Sequence, residues 1–174
     1  MPNVIPTDLK TYVAWRFNAV LPGTFRRAKK AFEHLAYPIL SPLPDAGSKT
    51  CSVERSLHGG PYVYFVCDDA DRVRYVGKSL EKDVIARWTR PGIGGPAAYY
   101  FTHSRKGGGC VFSIAEAMNA GESSHFTLRY VPVAEIGKHV LARLGLKREG
   151  SSAEFAAAAE RALTKACGAD WNMA

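Results

Sequence analysis

Between residues 61 and 80 apolar and polar positions change with a period of two. Tyr62 to Val66 and Arg72 to Tyr75 are aromatic and β-branched, while Cys67, Asp68, Asp69, Ala70 and Asp71 between them carry turn chemistry. A β-hairpin is predicted. Residues two apart on a strand share a face, so Tyr62, Tyr64 and Val66 point one way and Val63 and Phe65 the other. Upstream, Thr7 and Asp8 precede an amphipathic stretch, Leu9 to Val20, which predicts a helix ended by Pro22-Gly23. Thr24 opens a second predicted helix reaching about Leu35, with Arg26, Arg27, Lys29 and Lys30 on a solvated face. Pro38, Pro42 and Pro44 mark a linker running to about Gly60.

Downstream of the hairpin, Ser79 can cap a helix that carries Arg87 and stops at Pro91-Gly92. An irregular segment then runs to Gly109, followed by a short helix from Ser113 to Asn119. A third strand is expected from Phe126 to Val133, and two helices from Ala134 to Leu144 and Ala153 to Cys167. The expected class is α+β, with a small, mainly antiparallel three-stranded sheet flanked by helices. Residues 1–58 form an N-terminal helical extension and linker, and residues 59–174 the main domain with an insertion at about 91–125.

Composition supports one globular unit: 174 residues, 47% hydrophobic and 22% charged, are enough for a real core. The formal charge of +7 favours a polyanionic partner through counterion release, and its surplus concentrates in the first third of the chain. Cys51, Cys67, Cys110 and Cys167 show no paired spacing, which argues against a zinc knuckle. No run approaches the ~18 apolar residues of a membrane span, and no leader pattern opens the chain. A soluble, reducing, cytoplasmic setting with free thiols is expected.

Several residues carry chemistry. The segment after Gly92 mixes aromatics and bases, Tyr99, Tyr100, His103, Arg105 and Lys106, which suits stacking on nucleotides and neutralising phosphate. Lys78 and Arg90 can add charge to the same surface. Gly77-Lys78-Ser79 mimics the end of a phosphate-binding loop, but Arg72 stands where that motif needs Gly. The five histidines show no paired metal spacing.

Five short strings in order resemble the GIY-YIG nuclease family, over about Pro61 to Asn172. Tyr62-Val63-Tyr64 is similar to the family's first string with Tyr for its Gly, and Tyr75-Val76-Gly77-Lys78-Ser79 to its second. Arg87-Trp88 falls where the family keeps an arginine, and Glu160 and Asn172 resemble its acidic helix and closing asparagine. Pro91 stands where some members carry a histidine. The resemblance implies a GIY-YIG-like fold and a stand-alone, restriction-type DNA endonuclease whose catalytic residues are Tyr64, Tyr75, Arg87, Glu160 and Asn172. Glu160 would hold one Mg2+ or Mn2+, Arg87 the scissile phosphate, and Tyr64, supported by Tyr75, would act on the attacking water. A phenol titrates near ~10, so that role needs help from Arg87 or the metal. Double-strand cleavage by one site per chain would call for a homodimer. An inactive nucleic-acid-binding module on the same scaffold and an RNA endonuclease are the alternatives.

Overall fold

The computed structural model describes residues 3–19, 38–41, 59–81, 110, 113–114, 117–118 and 120–172. Five strands form one antiparallel sheet in the order β2-β1-β5-β3-β4: β1 Tyr12–Ala19, β2 Pro38–Ser41, β3 Tyr62–Asp68, β4 Val73–Ser79 and β5 Phe126–Pro132. Helix α1 spans Lys138–Arg143 and α2 spans Ser152–Cys167, with 3-10 turns at Val133–Glu135 and Asp170–Asn172. The α+β class is as expected, but the sheet has five strands rather than three.

The two additional strands come from the N-terminal third, where the expected helix over Leu9 to Val20 is replaced by β1. Leu9, Tyr12, Val13, Trp15 and Phe17 can be threaded on a helical period, yet Val13, Trp15 and Phe17 also alternate in a β-rich run. Pairing with β5 decides between them, Tyr12 opposite Tyr130 and Phe17 opposite Phe126, with a bulge between Val13 and Trp15. Residues 12–19 and 38–41 are therefore strands of the main sheet. The second expected helix, from Thr24, lies outside the described residues. So do residues 82–90, which include Arg87.

The hairpin forms as predicted. Its turn is organised by Asp68, whose Oδ1 accepts from the backbone N–H groups of Ala70 at 3.1 Å and Arg72 at 3.0 Å, while Asp71 takes the left-handed conformation at φ 57°. Asp68 is buried, and its other oxygen takes Arg72 Nε at 2.8 Å. A second loop locks onto this turn: Ser123 Oγ accepts from Asp69 N, and Ser124 donates its N–H and its hydroxyl to Asp69 Oδ2.

Register assigns the two faces of the sheet. Val63, Phe65 and Cys67 of β3, with Val73 and Val76 of β4 and Val131 of β5, face α2 and bury Phe155, Ala156, Ala159, Leu163 and Cys167. That spacing of one, three and four residues is a helical apolar stripe. Ser151 and Glu154 form a capping box at the start of α2, and Gly168 ends it at φ 61°. Tyr62, Tyr64 and Val66 lie on the opposite face with Phe126, Leu128 and Tyr130, all buried, and Tyr62 meets Tyr130 edge-on at 5.5 Å. No described helix is long and apolar enough to cross a membrane.

Candidate functional site

Strand β4 sits at the edge of the sheet and gathers most of the described candidate residues. Tyr64 pairs with Gly77 and Tyr75 with Val66, so both phenols lie on the face away from α2. Their rings are tilted at 31° with centroids 6.2 Å apart. Gly77 makes this arrangement possible: a Cβ at that position would meet the Tyr64 Cζ and hydroxyl oxygen at 2.4 Å. The Tyr64 ring therefore lies flat across the glycine. Tyr64 is buried and Tyr75 half-buried, so Tyr75 is the more accessible phenol.

Two elements distant in sequence reach the same strand. From α2, the Glu160 Oε2 accepts from Lys78 Nζ at 2.5 Å, with the Glu160 side chain 20% exposed and that of Lys78 36%. From the C-terminal turn, the Asn172 amide closes a two-way bond on Val76: Oδ1 accepts from its N–H at 2.7 Å and Nδ2 donates to its carbonyl at 2.7 Å. An edge strand leaves such backbone groups open, and the side-chain amide supplies what a further strand would. At the other end of β4 the backbone carbonyl of Asn3 accepts from Val73 N at 2.6 Å.

The faces matter for the chemistry. Val63 pairs with Lys78, which puts Lys78 and its partner Glu160 on the α2 side, opposite the phenols. After Gly168 the chain rounds the edge of β4, because Asn172 bonds that edge while Trp171 packs on Phe126, 5.4 Å away, on the phenol side. Carboxylate, amide and phenols are thus set around one strand edge rather than on one surface. Arg74 braces the crossing: its guanidinium contacts Asp68 at 3.5 Å, Glu122 at 3.3 Å and Asp170 at 3.1 Å and stacks over Trp171 at 4.9 Å. Neither the Arg74 network nor the strand-edge role of Asn172 is legible locally, because each joins segments about a hundred residues apart.

Arg87, Arg90, Tyr99, Tyr100, His103, Arg105 and Lys106, like Pro91, lie outside the described residues. Among the described residues no group of three or more His, Cys, Asp or Glu could hold a metal ion. An octahedral magnesium site can use a single protein carboxylate, with water and substrate oxygens completing the shell. Glu160 fits that donor set through Oε1, its Oε2 being taken by Lys78.

Cysteine nucleophiles are disfavoured where they can be judged. Burial pushes the Cys67 thiol up to about 12 against the opposing charge of Arg129, and burial pushes Cys167 up to about 11. Both stay protonated at neutral pH, and the thiolate is the reactive form. Compared with protein-family models, curated proteins and solved structures, the chain gives no match in any of the three.

Proposed function

We propose that the chain is a divalent-metal-dependent DNA endonuclease of the GIY-YIG type, hydrolysing phosphodiester bonds at the edge of β4. One observation carries this reading: Tyr75, Gly77 and Lys78 lie on β4, and Tyr64, Glu160 and Asn172 all reach that strand from elsewhere. Such convergence of phenol, carboxylate, ammonium and amide around four residues of one edge strand suits a substrate bound beside that strand. Groups from both sides of the sheet can meet it there.

The division of labour follows from chemistry. Glu160 would hold a single Mg2+ or Mn2+, which supplies charge stabilisation at the leaving oxygen when bound. Lys78 neutralises Glu160 before substrate arrives and gives its positive charge to a phosphate once Glu160 is otherwise engaged. Tyr64, once ionised with help from Arg87 or the metal, would take the proton of the attacking water, and Tyr75, nearer solvent, would orient that water. Asn172 holds β4 straight, so the phenols keep their spacing. The basic surplus of the chain draws the polyanion in.

Purified protein incubated with duplex and single-stranded DNA of varied sequence, plus Mg2+ or Mn2+, should give metal-dependent cleavage abolished by EDTA. Absence of cleavage with every substrate would overturn the proposal. A second reading, a binding module without catalysis, is favoured by the opposite placement of Glu160 and the phenols across the sheet. It predicts DNA binding that Glu160→Ala leaves intact, with no metal-dependent cleavage in the parent protein.

A further inference from the structure

Helix α1 ends in a Schellman turn, and that turn builds a groove. Gly145 takes φ 65°, its N–H bonds the Ala142 carbonyl at 3.1 Å, and the Leu146 N–H bonds the Leu141 carbonyl at 2.8 Å. This brings Leu146 beside Leu141, as the motif's apolar contact requires. The result is an open groove of about 570 Å³ with Leu141, Ala142, Gly145 and Leu146 along it. Its remaining lining residues are all cations, Lys138, Lys147 and Arg148.

Those cations are poorly compensated. Lys138 makes no ion pair or hydrogen bond among the described residues. Lys147 has only Glu149, at 4.0 Å with both side chains largely exposed, a geometry of little worth. Arg148 spends one terminal nitrogen on the Ala134 and Ile136 carbonyls, at 2.9 and 2.7 Å, and lies over the Phe155 ring at 5.1 Å, so its charge is held in place without meeting a carboxylate. An apolar floor ringed by three cations and no acid selects a ligand that is apolar in its body and anionic at its end.

Size decides what kind of ligand. A volume of 570 Å³ falls in the range of small-molecule sites, about 300–1,000 Å³. The α1 wall is six residues long, roughly 9 Å, whereas a stable protein interface covers about 800 Å² per partner. We propose that this groove binds an amphipathic organic acid, such as a medium-chain carboxylate, independently of the β4 site and of the nuclease reading.

The test uses the full chain and anilinonaphthalene sulfonate, an apolar anion whose fluorescence rises on binding. The dye should bind saturably at one site and be displaced by dodecanoate. Ala142 and Lys138 are both exposed, so Ala142→Glu and Lys138→Glu should fold, as far-UV circular dichroism would verify. Each should weaken dye binding by about tenfold or more. The neutral dye phenylnaphthylamine should bind more weakly than the anion. The proposal is overturned by absence of saturable binding, by equal affinity of the Ala142→Glu variant, or by equal affinity of the neutral dye. Displacement by a three-turn acidic amphipathic peptide at lower concentration than dodecanoate would also overturn it, and would assign the groove to a protein segment.

Discussion

Gly77 and Asn172 show how single residues shape the arrangement around β4. At Gly77 the constraint is space: a methyl group would land 2.4 Å from the end of the Tyr64 ring, and that buried ring has little room to swing aside. Gly77→Ala should therefore cost about 1–3 kcal/mol, as overpacking does, and should displace the Tyr64 phenol. Urea denaturation measures it, and unchanged stability would mean the ring does not rest there. At Asn172 the constraint is hydrogen bonding. Asn172→Ala leaves the Val76 N–H and carbonyl without their partners, at a cost of about 1–3 kcal/mol. Asn172→Asp keeps the acceptor for the N–H but sets an oxygen against the carbonyl, so it should not rescue the alanine variant. A shift in urea midpoint for the Ala variant, with none recovered by Asp, is the expected result.

Among the elements, the hairpin and α2 were readable because their signals are local. Alternation in Tyr62 to Val66, a turn rich in aspartate and a third strand from Phe126 all match what the structure holds. Helix α2, expected over Ala153 to Cys167, spans Ser152–Cys167, its start held by the Ser151–Glu154 capping box and its end by Gly168. Strand β1 has a period that fits helix and strand alike, and only pairing with β5, more than a hundred residues later, settles it. The α2 cap also carries a pH dependence. The Ser151 backbone N–H, then its hydroxyl, hold the Glu154 carboxylate below its ordinary value of 4.5. A carboxyl depressed on folding stabilises above its unfolded value and loses that contribution as pH falls through the folded one. The first turn of α2 should therefore loosen on acidification below about pH 4.5, seen as faster amide exchange there. Glu154→Gln should flatten that dependence; an unchanged profile in the variant would assign it elsewhere. The Asp69 clasp to Ser124 has the same sign, its carboxyl being lowered first by the Ser124 backbone N–H.

At the scale of the whole molecule, the described candidate residues gather around β4, on both faces of the sheet, because the sheet order leaves that strand at an edge and the C-terminal turn wraps around it. Tyr64, Tyr75, Glu160 and Asn172 are candidates that the sequence offers, but how they are arranged around β4 is not legible in it. Lys78 and Glu160 are 82 residues apart, and nothing local says that they pair or that they face away from the phenols. That placement makes the role of Glu160 the sharpest point at which the nuclease proposal can fail. The decisive measurement is cleavage of a mixed-sequence DNA duplex in Mg2+ or Mn2+ by the parent protein and by Glu160→Ala, with DNA affinity followed in parallel. The account predicts cleavage by the parent, a loss of about a hundred- to a thousandfold in the variant, as for removal of a group that stabilises transition-state charge, and little change in affinity. Equal cleavage by both proteins, or none by the parent, would contradict it.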